Sequence, residues 1–155
     1  MTIDRIDASI LQALQANGRA TNAELSAQVN LSESGCFRRV RALEADGVIE
    51  RYAAVVNQRA VGLPLSVFWT ITLSSQAEEV LSAFEAAVAR VPQVMECYLM
   101  TGQADYLVRA VARDMDDLEQ IHRHWLTRLP GVARVNSSIT LRQVVKRAEL
   151  PIRLD

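Results

Sequence analysis

Two periodicities divide the chain. From Ile6 to about Glu50 apolar residues recur every three to four positions, in short blocks separated by turn signals. Ile6, Ile10, Ala13 and Leu14 form the first stripe, which predicts a helix stopping at Asn17-Gly18, where glycine can take the left-handed conformation that ends helices. "TNAE" opens the second block: Thr21 can cap the backbone while Glu24 reaches back, and Leu25 and Val29 make the buried side. After a turn at Asn30-Leu31, Ser32 is a ready N-cap for a third helix running to Asp46-Gly47. "VIERYAAVV" then predicts a short β-element. Compact helices in this order, with a tight turn between the second and third and a β-element after them, describe a winged helix-turn-helix. A three-helix bundle that binds protein has the same order.

Beyond "VGLP", Val61 to Pro64, the period shortens to two. "LSVFWTITL" puts Leu65, Val67, Trp69, Ile71 and Leu73 on one face of a strand and Ser66, Phe68, Thr70 and Thr72 on the other. "SQAE", Ser75 to Glu78, reads as another capping box, leading a helix that buries Val80, Leu81, Phe84 and Val88 and ends before Pro92. "VMECYLMT" and "DYLVRAVA" are strands separated by Gly102-Gln103-Ala104, a hairpin. Asp114 caps a helix carrying Met115, Leu118, Ile121 and Trp125 toward Leu129, Pro130-Gly131 breaks it, and "VARVNSSITLRQVV" supplies the last strand. The order βαββαβ is that of a ferredoxin-like split unit, an antiparallel sheet with both helices on one face. The fold class is therefore α+β, with a winged helix-turn-helix over 1–60 and a ferredoxin-like domain over 61–155. The second face of that sheet carries Phe68 and other apolar groups, so homodimerisation through the sheets is expected to cover it.

Half of the 155 residues are hydrophobic, enough for a core without disulfides or metal. The net charge of -1 argues against a generic polyanion binder and confines any nucleic-acid surface to a local cluster. Cys36 and Cys97 lack any CxxC or Cys/His spacing, so they read as small buried hydrophobes in a reducing cytoplasm, with no zinc site. No apolar run at the N-terminus suggests a leader or a membrane span.

The local cluster lies in "SGCFRRVRALE". At about 100° per residue, Cys36, Val40 and Leu43 share a buried sector while Ser34, Arg38 and Arg41 face the other way, with Gly35 and Ala42 beside them. A helix entering a groove about 12 Å wide needs short side chains near the bases and long cations that reach phosphates or guanine edges. No acid stands four residues from Arg38, since Ser34 and Ala42 occupy those places. Arg39 flanks the core stripe and is either a structural clamp or a base reader. With Asn22 and Ser32 at the starts of the second and third helices, the expected DNA-contacting set is Asn22, Ser32, Ser34, Arg38, Arg39 and Arg41. Acids and bases balance over 1–60, so one domain alone should bind DNA feebly. Two recognition helices about one helical turn apart would read a pseudo-palindrome and supply the affinity by linkage.

The run "IDASILQALQANGRATNAELSAQVNLSESGCFRRVRALEADGVIERYAAVVNQRAVG" strongly resembles the Lrp/AsnC, or feast/famine, family of transcription regulators. Asp7, Ile10, Leu11, Leu14, Arg19, Leu25, Leu31-Ser32, Arg39, Leu43, Gly47-Val48-Ile49 and Gly62 stand where that family's pattern places them. The second half resembles the family's effector domain through "TGQADY" and "LPGVARVNSSITL". The resemblance implies a dimer that assembles further, often to an octamer, and binds a small effector, usually an amino acid, between dimers near the hairpin. No other cofactor is implied. The expected ligand-binding set is Thr101, Gly102, Gln103, Ala104, Asp105, Tyr106 and Ser137. Gly102 allows a tight turn whose N–H groups can face a carboxylate, Asp105 can accept from an ammonium group, and Ser137 stands where family members often carry threonine. Val135 departs from a position where a second hydroxyl is common. "TGQADY" also serves as plain hairpin turn chemistry.

An enzyme is the rival class, because siroheme decarboxylases resemble the same two-domain frame. His122 and His124 are the only histidines, and at i, i+2 on a helix they point in different directions. No Ser-His-Asp arrangement, phosphate loop or paired carboxylates stand out, and no catalysis is assigned.

Overall fold

The computed structural model describes residues 2–152. Helices α1 (Arg5–Ala16), α2 (Asn22–Gln28) and α3 (Glu33–Ala45) come first, followed by β1 (Leu65–Leu73), α4 (Glu78–Val88), β2 (Val94–Leu99), β3 (Tyr106–Ala112), α5 (Met115–His124), a single 3₁₀ turn at Leu126–Arg128 and β4 (Val132–Ile139). They form two compact units, Met1–Val55 together with Val144–Asp155, and Val56–Gln143. The expected division at 60/61 assigned the tail to the second domain. Its described end lies with the first instead: Ile152 packs into the helical core, Gln15 Nε2 donates to the Leu150 carbonyl, and the Leu150 N–H donates back to Gln15 Oε1.

In the first unit Ile10, Leu11, Leu25, Cys36 and Leu43 form the core, as the helical periodicity requires. Each helix starts on a side-chain cap. Asp4 and Asp7 cap α1 reciprocally, Thr21 and Glu24 do the same for α2, and Ser32 Oγ accepts from the Gly35 N–H at the start of α3. Gly18 is not in the left-handed region; α1 ends instead on Asn17 in an extended conformation, and among the described residues of this unit the left-handed ones are Asn30 (φ 53°) and Gly47 (φ 71°). Asn30 supplies the tight turn between α2 and α3. The β-element expected after α3 is not formed: residues 51–57 belong to no strand, and Val55 and Val56 are exposed. A strand needs a ladder partner, and none of the described residues provides one there.

The second unit is a four-stranded antiparallel sheet of order β2-β3-β1-β4. Val67, Trp69, Ile71 and Leu73 of β1 share a face with Tyr106, Val108 and Ala110 of β3, their register partners or neighbours. Phe84 and Val88 of α4 and Leu118 and Ile121 of α5 pack onto that face, so both helices lie on one side, as the element order predicts. Phe84 and Tyr106 touch ring to ring, centroids 4.5 Å apart. The other face carries Phe68, Thr70, Leu107 and Tyr98, with Arg109 and Glu96 joined by a 2.9 Å ion pair.

Three expectations need correction. The capping box at Ser75 to Glu78 does not form: Ala77 is the N-cap without a side-chain bond, and Ser75 Oγ accepts only from the Ala77 N–H. Met115 and Trp125 are exposed rather than buried: Met115 opens the first turn of α5, outside the face that Leu118 and Ile121 bury, and Trp125 falls where α5 stops and gives way to the 3₁₀ turn. The last strand ends at Ile139, leaving Leu141, Val144 and Val145 exposed.

Gly131, at the entry to β4, has φ 73°, and a Cβ there would sit 2.5 Å from Val80 Cγ1. Gly131→Ala combines left-handed strain with an intrusion into packed core, and is expected to destabilise the chain by about 2–4 kcal/mol in urea unfolding.

Candidate nucleic-acid interface and effector hairpin

Helix α3 is fixed from beneath by Cys36 and Leu43, both without solvent exposure. Burial raises the Cys36 thiol above its ordinary pKa, so it stays a neutral core group. The opposite side presents Ser34, Arg38 and Arg41 to solvent. Arg38 makes no ion pair or side-chain hydrogen bond among the described residues. Its guanidinium is an exposed charge on a rigid support, which is what a phosphate or guanine contact requires. Arg41 is also outward, 67% exposed, with Nη1 3.2 Å from Glu44 Oε2.

Of the two roles left open for Arg39, the structure supports the clamp. Its Nη1 lies 2.8 Å from Asp4 Oδ2 and 2.8 Å from Asp7 Oδ1, the two carboxylates that cap α1. Asp7 is buried, and the Asp7 backbone N–H, followed by Arg39, holds the Asp4 carboxyl below the usual range. Arg39 therefore staples α3 to α1, and its guanidinium is engaged there rather than held out toward solvent with Arg38. Asn22 and Ser32 are likewise engaged within the motif: Asn22 Nδ2 donates to the Glu33 carbonyl at 2.8 Å, tying α2 to the start of α3, and Ser32 caps α3 while its hydroxyl lies 3.3 Å from that of Ser34. The clamp carboxylates were missed in the sequence, although "DRID" has the spacing of a capping box.

The hairpin expected to hold the effector divides into an exposed tip and a buried base. Thr101, Gly102 and Gln103 are exposed, Ala104 is half-buried, and Gly102 has φ 121°. Asp105 is 8% exposed, and both its oxygens are occupied, one by the Leu73 N–H and the other by Gln76 Nε2, each at 2.7 Å. It locks the hairpin to the end of β1. Gln76 was not singled out in the sequence; no local pattern links it to a residue twenty-nine positions away. Tyr106 departs from expectation too. It is buried on the helix side of the sheet, its hydroxyl donating to Glu85 Oε1 at 2.7 Å, so it is a core residue rather than part of the tip. Ser137 is exposed on β4 opposite Trp69, with β1 standing between its strand and that of the hairpin. One chain thus gathers Thr101 to Asp105 but does not bring Ser137 to them.

Asp105→Ala is expected to cost about 1–3 kcal/mol of stability, because the buried Leu73 N–H loses its acceptor. Equilibrium unfolding measures that cost. His122 and His124 are exposed, and His124 Nδ1 lies 2.9 Å from the Gln120 carbonyl; no shared site forms between them. Burial, with a contribution from Glu85, raises Cys97 to about 11, which keeps it in the thiol form at neutral pH.

A helix-turn-helix with an outward basic side, joined in one chain to a ferredoxin-like domain bearing a glycine hairpin, defines a DNA-binding regulator with an effector domain. Residues 3–50 match the winged helix-turn-helix DNA-binding model, and residues 66–150 match the Lrp/AsnC ligand binding domain. The chain belongs to the Lrp/AsnC family of transcription regulators. It is 38% identical over 151 residues to the leucine-responsive regulatory protein of Escherichia coli K12, covering 97% of this chain and 92% of that protein. It is 37% identical over 150 residues to the Bkd operon transcriptional regulator of Pseudomonas aeruginosa, covering 97% and 98%. Among solved structures, a transcriptional regulator from Neisseria meningitidis in complex with L-methionine superposes with a TM-score of 0.90 at 37% identity, covering 97% of each chain. A feast or famine regulatory protein from M. tuberculosis, complexed with L-methionine, gives 0.87 at 31% identity, covering 96% of this chain and 99% of that one. These relatives are named as regulators, and the decarboxylase reading gains no support from them. Among the described residues no helix is long and apolar enough to cross a membrane.

Proposed function

We propose that this regulator binds a pseudo-palindromic operator as a homodimer and that an amino acid, bound at the hairpin, modulates its assembly or its DNA binding. The observation that carries the DNA half is the exposed Arg38 guanidinium on a helix pinned by Cys36 and Leu43. Arg38 and Arg41, with Ser34, are the proposed DNA contacts. Seven acids offset seven bases in residues 1–60, so affinity must come from two helices acting together.

Pairing of two chains is supported by apolar surface that a monomer leaves wet. Phe68, Leu107 and Tyr98 share the open sheet face, and Val55, Val56, Leu141, Val144 and Val145 lie exposed in segments with no ladder partner. A two-fold partner would cover the sheet and offer strands to those segments. Further assembly toward an octamer rests on the family alone.

For the effector, the hairpin tip offers backbone N–H groups at Gly102 to a carboxylate, and Thr101 and Gln103 offer side-chain polar groups. Ser137 of one chain stands apart from that tip, which supports a site completed between subunits. The L-methionine complexes of the two structural relatives support an amino acid as the ligand class. Mapping occupied genomic sites with and without amino-acid supplements, alongside calorimetry across the amino acids, tests both halves. No discrete sites, or occupancy and heats indifferent to every amino acid, would overturn the proposal.

A further inference from the structure

Arg41 differs from Arg38 in being held. Its Nη1 donates to Glu44 Oε2 at 3.2 Å, and the other oxygen of Glu44 accepts from the Tyr52 hydroxyl at 3.0 Å. On the other side, the guanidinium carbon stands 5.3 Å from the centroid of the Phe37 ring, within cation–π range. Phe37 is 53% exposed, an unusual setting for a large apolar side chain on a helix whose core is already filled. The four side chains form one line, Tyr52 to Glu44 to Arg41 to Phe37. Behind them lies a cavity of ≈ 250 Å³ lined by Leu14, Leu25, Val40 and the bodies of Phe37 and Tyr52.

Glu44 engages one of the five guanidinium N–H donors, so the others remain for DNA. An unrestrained arginine gives up rotamer freedom on binding, and one already fixed gives up less. A surface ion pair alone adds little stability, so the line is better explained by what it does to the orientation of Arg41.

We propose that Tyr52 and Phe37 are positioning residues for Arg41: Tyr52, acting through Glu44, and the ring of Phe37 set the guanidinium in the orientation in which it meets DNA. The proposal rests on the reading of α3 as the recognition helix. Tyr52 stands in the segment that leaves the helix-turn-helix, so a rearrangement of that segment reaches a DNA-contacting arginine by a path of two hydrogen bonds.

The test is a double-mutant cycle on the full-length chain with its operator. Glu44 is left alone, because removing an acid beside DNA strengthens binding to every sequence. Tyr52→Phe deletes one hydroxyl, and Phe37→Leu keeps apolar cover over the cavity while removing the π face. Each is expected to weaken specific binding about three- to fivefold when Arg41 is present, the equivalent of one net hydrogen bond, and to have no effect in the R41A background. Thermal melting follows folding in parallel, and the ratio of specific to nonspecific affinity should fall with the loss. Equal losses in both backgrounds, or no loss in either, would overturn the proposal. If R38A abolishes specific binding while R41A does nothing, the recognition helix stands and the positioning line falls. If neither arginine matters, both fall together.

Discussion

Replacing Arg38 and Arg41 together by alanine is expected to weaken operator binding by about 100-fold or more at moderate salt while leaving stability within about 0.5 kcal/mol. A base or phosphate contact by arginine contributes about 1–3 kcal/mol, and a dimer carries each change twice. Both side chains lie on the solvent side of α3, away from Cys36, Val40 and Leu43, so the core does not register their loss. The two variants Arg38→Lys and Arg38→Ala separate the kind of contact. Lysine keeps a charge for phosphate but not the planar fork that guanine accepts, so a site-specific loss with lysine marks base reading. Fluorescence anisotropy against a salt series gives both numbers; an unchanged Kd would remove α3 from the interface.

Phe68→Glu is expected to convert the protein to a monomer by light scattering and to lower operator affinity by at least two orders of magnitude through lost linkage. Phe68 sits in β1 directly opposite Arg109, on the sheet face away from α4 and α5. Within one chain the position is only partly buried, outside the helix-covered core, and Arg109 across the ladder can bridge the new carboxylate and its existing partner Glu96, so the fold should persist. In a two-fold interface the same carboxylate appears twice and must be stripped of water. A variant that remains dimeric would place the interface elsewhere.

The sequence carried the elements whose causes are local. Thr21 and Ser32 announced helix starts, the alternation in Leu65 to Leu73 announced which side of β1 is covered, and Gly102 announced the turn of the hairpin. The sector formed by Cys36, Val40 and Leu43 already separated Arg38 and Arg41 from the core. What was not legible depends on groups distant in the chain. Arg39 meets Asp7 across thirty-two residues, Asp105 finds Leu73 and Gln76 through the fold, and Tyr106 turns inward because the pleat of β3 decides its side. The "SQAE" box failed for a different reason. Its residues fit the pattern, but Ala77 is still extended and the helix starts only after it, at Glu78.

The return of the tail to α1 has a consequence for synthesis. Gln12 lies within 3.5 Å of the carbonyl of a residue made 140 positions later, and Ile152 fills part of the core around Ile10 and Leu11. On the ribosome the DNA-reading unit therefore emerges first but acquires its last apolar piece only after the whole effector domain has been translated. Until then the nascent helix bundle leaves uncovered the apolar patch that Ile152 will close.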